Sequence, residues 1–443
     1  MSDGQPSVDA YPSAARLGSA RCSRRGDSSE LRPSSVRFLV HARVREWERV
    51  ARLWAVEALP RLNMGILAGT SSIDDLVRES RGVLARLDGL GLDALATAPR
   101  PLARRCLGVL GFMALSLERH TQAAGAAPGI GLARAPSLED ALALAGMAAE
   151  LPPTLGYAGY WLENGGATPL TFTGDPQERF FRNMVVAVND AHSRAVDLLR
   201  PIASGLVSVV SDEAVWRLSA AADAQDDVHE CYRRFRPLGA TAREDFTVGY
   251  FRDVMRTFLV MVPVHGSTLH GPNAANIAAQ ASLDYVIGIV QPFYRRHVEE
   301  RMRYMSPEER AQVTADMRNS SVLDRILDVL RLTHADVLTL PIGDLTRRVR
   351  ATPEAHEPLV AFSRFKQIAG SAAGAHFGLI VHYLQRGPGG AGTTAPVAPS
   401  HGTGGRPHRE TQDVMRMRQR EPVSTTLASA LRRLDPSSSA LRA

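Results

Sequence analysis

The sequence predicts an all-α fold, and three observations carry that prediction. Apolar residues recur at spacings of three and four through most of the body, the period of a single helix face. No stretch shows the sustained apolar–polar alternation of a half-buried strand. Hydrophobic residues make up 44% and charged residues 22% of the 443-residue chain, an ordinary globular balance that excludes wholesale disorder.

Residues 1–37, rich in Ser, Pro, Gly and Arg, read as a disordered arm. Residues 41–59 place Val44, Trp47, Val50, Ala51, Trp54 and Ala58 on one helix face. The pattern repeats over 73–90 and 102–122. Ser137-Leu138-Glu139-Asp140 has the form of a capping box opening a helix that Leu151-Pro152-Pro153 ends. Residues 176–200, 211–235, 245–262, 274–303, 306–318 and 320–340 continue the helical series. Residues 386–443 read as a flexible basic tail. Within it, 386–410 is a Gly/Pro/Ser/Thr linker, and 411–434 has the spacing of a short amphipathic helix on Val414, Met417, Leu427, Leu431 and Leu434. An isolated helix of that length is expected to fray.

The net charge of +6 belongs to the ends. Residues 1–37 carry six Arg against four acids, and 386–443 carry nine Arg against four. The body between them is near neutral, so the basic balance does not point to nucleic acid. Three scattered cysteines, Cys22, Cys106 and Cys231, exclude a disulfide scaffold and a cysteine-built zinc site. No signal peptide is evident, and no uncharged apolar run is long enough for a membrane span. A cytoplasmic protein without nucleic-acid or membrane partners is expected, its oligomeric state open. The chain has one lysine, Lys366, read as Arg-for-Lys coding bias.

The segment 320–342 carries the most chemistry. Leu323, Ile326, Leu327, Leu330, His334, Val337 and Leu338 share one helical face, which predicts that His334 points at the core. A core imidazole needs partners for both nitrogens, and serves either as a satisfied core residue or as a metal ligand. Two Gly/Ala-rich segments, His270–Asn276 and Ala369–Gly374, are read as loops whose N–H groups meet a ligand closely. His265-x4-His270 and His376-x5-His382 lack the usual neighbours of a zinc site. Asp223, Asp226, Asp227 and His229 read as a solvated helix face. No phosphate-binding, dinucleotide-binding or nucleophile-elbow motif is present.

The order of motifs over roughly 95–385 resembles the indoleamine 2,3-dioxygenase branch of the histidine-ligated haem dioxygenases. Ala103–Gly111 is similar to the family's R-L-x-L-G helix, and Leu151-Pro152-Pro153 with Tyr157 to its LPP…Y segment. Pro169–Thr171 and Phe172-Thr173-Gly174 leading to Phe180-Phe181 resemble its P-L-T and F-T-G…F-F segments. Phe251–Arg256 resembles F-x-x-x-L-R, Gly271–Gly288 the Gly/Ser loop and F-D-x-L-L-G helix, and Met302–Pro307 R-Y-M-P-P. Leu330–His334 resembles the proximal L-R-x-x-H, and 369–374 the G-T-G-G-T loop.

The resemblance implies a small N-terminal helical domain (38–150) and a larger helical haem-binding domain (151–385). It implies haem b with His334 as iron ligand, and Gly271, Ala274, Gly370 and Ser371 beside the cofactor. It further implies Arg256 on a substrate carboxylate, for which a guanidinium is suited, with Phe180 and Phe251 as the wall facing an aromatic ring. The implied reaction inserts O2 into the indole of tryptophan or an indoleamine to give an N-formylkynurenine-type product. Met184 stands where indoleamine dioxygenases have a distal serine, no distal histidine matches, and both Gly-rich segments depart from the pattern. Pyrrolnitrin-type ring-rearranging enzymes share the proximal-histidine layout. The alternatives are therefore haem-dependent oxygenation of a modified tryptophan in secondary metabolism, or a haem-binding or sensing protein without turnover.

Overall fold

The computed structural model describes residues 33–165, 168–235, 246–272, 277–385 and 408–434. Contacts divide the chain into Met1–Leu39, of which only the start of the first helix is described, and Val40–Ala443. The second unit is helical, as expected. In chain order it holds α1 (Pro33–Leu67) from Val40 onward, α2 (Ile73–Asp88), α3 (Asp93–Ala96), α4 (Arg100–Ala123), α5 (Ile130–Ala133) and α6 (Ser137–Ala149), then α7 (Pro176–Ala203) and α8 (Asp212–Arg234). After a hairpin of β1 (Met261–Val264) and β2 (Ser267–His270) come α9 (Ala278–Val286), α10 (Pro292–Met302), α11 (Pro307–Asp316), α12 (Val322–Leu330), α13 (His334–Thr339) and α14 (Ile342–Arg350). The long α15 (His356–Ile380) precedes α16 (His408–Gln419) and α17 (Pro422–Leu434). No described helix is long and apolar enough to cross a membrane.

Capping residues in the sequence set many of these starts. Ser72 with Asp75, Ser306 with Glu309, Ser321 with Asp324 and Thr333 with Asp336 each close a reciprocal capping box. Ser137 does not. Pro136 takes the cap position of α6, and the Ser137 hydroxyl donates to Asp88 at 2.9 Å.

The predicted helix over 245–262 is a π turn (Tyr250–Val254), a 3-10 turn (Met255–Phe258) and β1. β1 and β2 pair antiparallel, with Val264 opposite Ser267, around His265 and Gly266, both at positive φ. The predicted helix over 274–303 divides into α9 and α10, with the break at Gly288 (φ +101°) and Pro292.

Two large cores and a small cluster of Val188, Ala191, Val228 and Ala372 fill the unit. One joins α1, α2, α4 and α6 to aromatic residues of later segments, among them Tyr160, Phe172, Phe251, Phe258 and Tyr383. The other joins α7 to α9–α15 and to the C-terminal helices. The flexible reading of the tail is thereby corrected over 408–434. Val414, Met417, Leu427 and Leu431 are buried against the second core, with Leu427 and Leu431 fully enclosed. Burial of that apolar face offsets the fraying of a short helix. The remainder of the expected linker, and most of the expected arm, fall outside the described residues.

Candidate functional site

His334 is not a core residue. α12 ends at Leu330, and Arg331 turns the chain in the left-handed conformation (φ +52°). Thr333 then caps the new helix α13, so the apolar stripe ends before His334. The His334 side chain is 36% exposed, Leu338 beyond it 54%, and Nε2 lies 2.7 Å from Asp324 Oδ1. Burial raises the Asp324 carboxyl, but the Ser321 N–H, the His334 contact and the Ser321 hydroxyl together hold it below its ordinary value. This is a half-exposed imidazole bonded to a carboxylate at a helix start.

The segment read as the loop Ala369–Gly374 lies inside α15. Helical N–H groups are spent on the helix's own carbonyls, so Gly370 and Ser371 do not form an N–H cradle. Ser371 is exposed and donates to Gln367 O at 3.1 Å. Gly370 and Gly374 instead let α16 approach: a Cβ on Gly374 meets Gln419 Nε2 at 2.7 Å. Gly271 is buried beside Val260 O, 3.0 Å from where its Cβ would stand, which is a packing role. Ala274 lies outside the described residues.

The same helix brings another histidine inward. His376 lies on the α15 face that lines a cavity shared with α7, α8, α9 and α16. Its ring stacks on Tyr232, with centroids 4.8 Å apart and planes 13° apart. Burial, with a smaller push from the Arg418 charge, lowers it to about 4. His192 faces the same cavity with Gln225 Nε2 3.3 Å from its Nδ1, and burial followed by the Arg418 and His376 charges lowers it to about 3. Both imidazoles are therefore neutral at neutral pH, the form that binds a metal.

α16 closes this cavity. Arg418 donates to Asp284 Oδ2 through Nε at 2.9 Å and Nη2 at 2.7 Å. The Tyr294 hydroxyl donates to the same oxygen, and Gln280 Nε2 to Oδ1 at 3.1 Å. Burial works against the guanidinium charge, but the Asp284 carboxylate outweighs it and raises Arg418 above its ordinary value.

α15 continues from His376 through a π turn (Val381–Gln385) to Tyr383, ~10 Å along the axis. There it meets an aromatic cluster that does contain sequence-predicted residues. Phe251 lies 5.7 Å from Phe181, 5.8 Å from Phe246 and 5.6 Å from Tyr383, ring to ring. Phe180 packs on Phe235 at 5.3 Å and Phe246 at 6.3 Å. Met184, one turn along α7 from Phe180, is buried in the same core. The Tyr383 hydroxyl donates to Phe235 O (2.8 Å) and Phe246 O (3.2 Å) and so ties the cluster's backbone together. Arg256, in the 3-10 turn after Phe251, is half-buried, and burial lowers its pKa.

Each π turn among the described residues supplies this cluster: Trp161 from Ala158–Leu162, Phe251 from Tyr250–Val254, and Tyr383 from Val381–Gln385. π turns re-aim side chains and recur at functional sites. Beside them, Tyr157 Oη and Trp161 Nε1 are buried with no hydrogen-bond partner among the described residues. They are two of eight such atoms among the described residues, with Trp54 Nε1, Ser80 Oγ and Tyr285 Oη among the others, so they do not by themselves mark a ligand site. The LPP…Y segment carried Tyr157 in the sequence; nothing in its pattern singled out Trp161. Glu178 was also missed. Its buried carboxylate accepts from Tyr160 Oη (2.6 Å), Phe172 N (2.8 Å), Thr173 N (3.0 Å) and Thr173 Oγ1 (2.8 Å), which fixes the F-T-G segment.

The family model of monodechloroaminopyrrolnitrin synthase PrnB matches residues 101–340. The chain belongs to this family. Membership in the PrnB family makes it a haem-dependent, oxygenase-type enzyme and supports the superfamily read from its motifs. No curated protein matches the chain. The matched span contains α7, α8 and the π turn at Phe251, and it ends before α15.

The residues at His376 fit a haem by their chemistry. A porphyrin supplies four of the iron's ligands, so one neutral imidazole completes the protein's share, and Tyr232 fixes that ring's plane. The partly open cavity measures about 30 Å³, far less than a porphyrin occupies, so the fit rests on the donor set alone. No group of three or more His, Cys, Asp or Glu among the described residues could hold a bare metal ion.

Proposed function

We propose that this chain is a haem-dependent enzyme that oxidises the indole ring of a tryptophan derivative in secondary metabolism, with His376 rather than His334 as its iron ligand. The observation that carries the reaction class is the PrnB match over 101–340. The family's name makes a monodechloroaminopyrrolnitrin-type product the first to look for, ahead of N-formylkynurenine from tryptophan itself. The half-buried, neutral imidazole stacked on Tyr232 supports the choice of ligand.

The bound haem b supplies activation of O2. The chain's own residues hold and orient. His376 offers a nitrogen lone pair that burial keeps unprotonated. Phe180, Phe181 and Phe251 present ring faces and edges to an indole, and aromatic contacts of this kind favour offset or edge geometry. Tyr157 Oη and Trp161 Nε1 offer polar contacts to that ligand. Arg256 pairs with the amino-acid carboxylate, since its guanidinium keeps its charge despite burial. Met184 gives the pocket no hydroxyl, so a substituted ring meets a polarisable thioether there. Fixing the two reactants in one geometry supplies much of the rate. Residues 38–150 form the cap and 151–385 the cofactor-bearing part in this reading, with α16 and α17 added to the latter.

A substrate panel tests it. Purified protein reconstituted with haem is given tryptophan and ring-substituted tryptophans under O2 and a reductant, with products identified by mass. Turnover of a substituted tryptophan to a rearranged product is expected. N-formylkynurenine as the main product from plain tryptophan would return the chain to the dioxygenase reading.

A further inference from the structure

Glu178 is a buried carboxylate outside the proposed ligand contacts. It stands in the first turn of α7, two residues before Phe180, and is fully enclosed. Its four donors are neutral groups from two separate pieces of chain. Tyr160 Oη (2.6 Å) and Phe172 N (2.8 Å) donate to Oε1, and Thr173 N (3.0 Å) and Thr173 Oγ1 (2.8 Å) to Oε2. The donor sense then extends to a third piece. Thr173 gives its one hydroxyl proton to Glu178, so the Tyr250 hydroxyl donates to Thr173 Oγ1 across 2.7 Å. Tyr160 and Tyr250 each stand immediately before a ring of the aromatic cluster: Trp161 in the Ala158–Leu162 π turn, and Phe251 in the Tyr250–Val254 π turn. Gln177, beside Glu178, accepts from Thr247 N at 2.8 Å, and Thr247 Oγ1 accepts from Tyr250 N at 3.1 Å, which ties the second turn to α7 again.

A neutral Glu178 breaks this arrangement. An ionised carboxylate only accepts, whereas a protonated one must donate once. A proton on Oε1 confronts the Tyr160 hydroxyl or the Phe172 N–H, and one on Oε2 reverses the Thr173 and Tyr250 hydroxyls. Either way a buried group turns from its acceptor, which is costly. Burial raises Glu178 above its ordinary value, against the four hydrogen bonds that lower it. The other groups facing it do not titrate with it or are held in place. Burial raises both tyrosines well above their ordinary value. Arg182, one turn along α7, donates to Trp161 O at 3.3 Å and to Asn164 O. Asp175, which acts on Tyr250, caps α7 by accepting from Gln177 N at 2.8 Å.

We propose that Glu178 is a positioning residue whose ionised carboxylate, through Tyr160 on one side and Thr173 and Tyr250 on the other, sets the Trp161 and Phe251 rings against Phe181. That these rings receive an indole rests on the function proposed above; that the carboxylate holds them does not.

The full chain carrying 3-fluorotyrosine, titrated with acid and followed by 19F NMR, tests the hold. Tyr160→Phe and Tyr250→Phe assign the two resonances. Both are expected to move at one shared midpoint in wild type and to stay in place in Glu178→Gln. Binding of L-tryptophan and ring-substituted tryptophans to the haem-reconstituted proteins tests the consequence. Losing a hydrogen bond to a carboxylate corresponds to about tenfold or more in an equilibrium constant. Tyr250→Phe and Glu178→Gln are each expected to weaken the best-bound of these ligands about tenfold with haem content unchanged. Acting on one chain of bonds, they are expected to lose together well under about a hundredfold. Losses that multiply in the double variant, as two unconnected packing defects give, overturn the proposal. Resonances that stay still, move at separate midpoints, or still move in Glu178→Gln, as titration of Asp175 would make them do, overturn it too. Where Glu178→Gln does not fold, the wild-type titration and equal binding by wild type and Tyr250→Phe remain able to refute it. Shared movement in a wild type that binds none of these ligands removes the indole reading and keeps the carboxylate's hold on the two rings.

Discussion

Replacing Arg418 with Ala removes the cation from a pair whose partner cannot reach water. The Asp284 side chain is 2% exposed and that of Arg418 16%. After the change, Asp284 keeps Tyr294 and Gln280 but loses two charge-assisted hydrogen bonds on one oxygen. Breaking a buried pair from one side costs ~3–5 kcal/mol, because the remaining charge stays desolvated. With a urea m-value of ~3 kcal/mol/M, the midpoint falls by roughly 1–2 M. Removing both charges together, as in Arg418→Met with Asp284→Asn, leaves no stranded ion and recovers all but about 1 kcal/mol. Urea denaturation of the three proteins, followed by far-UV circular dichroism, measures this. A loss below about 1 kcal/mol for Arg418→Ala, the size of a surface pair, would refute the seating of α16 in the core.

Other outcomes follow from the same geometry. Leu427→Ala, at a fully enclosed position, costs ~2–5 kcal/mol, where the same change in a frayed tail costs nothing measurable; the same urea titration distinguishes them. His120 and His192 are each pushed down to about 3 by burial, while their unfolded value is about 6.5. The unfolded chain therefore binds protons that the native one refuses, and stability falls as pH drops below about 6.5. Each contributes up to ~1.4 kcal/mol per pH unit, so His192→Gln flattens the acid limb of a stability–pH profile; an unchanged slope contradicts the burial argument. Phe251→Leu keeps the core filled but removes a ring from the aromatic cluster. It is expected to weaken indole-substrate binding about tenfold while leaving haem content unchanged; equal binding by both proteins counts against that wall.

Helix periodicity made the all-α architecture legible, and α2, α4, α6, α7 and α8 stand close to where apolar spacing put them. Phe180, Phe251 and Met184 were singled out for another reason: they sit in motifs whose order survives, and packing brings them to one core. The placing of His334 outside the core was not legible. His334 shares its helical phase with Leu330 and Val337, and phase alone cannot show that Arg331 turns left-handed and restarts the helix. α15 was hidden by composition. Its Ala-Gly-Ser-Ala-Ala-Gly run reads as a loop until α16 is seen packed against it, so His376 was judged only against a zinc site. A signal was present, however. Gly402-Thr403-Gly404-Gly405 repeats the family's G-T-G-G run more closely than 369–374 does. With 402–405 taken as that run, the proposed ligand His376 lies upstream of it on α15, although 402–405 themselves lie outside the described residues.

The ligand assignment is the central claim, and the visible spectrum of the ferrous protein with CO tests it most directly. Wild type, His376→Ala and His334→Ala are reconstituted with equal haem. The account predicts a stoichiometric histidine-ligated spectrum in wild type and in His334→Ala, the latter losing only the hydrogen bond to Asp324, ~1 kcal/mol of stability. It predicts loss of that spectrum in His376→Ala, with imidazole added to the medium restoring it. A histidine-ligated spectrum that survives in His376→Ala and vanishes in His334→Ala would contradict the account and return the iron to His334.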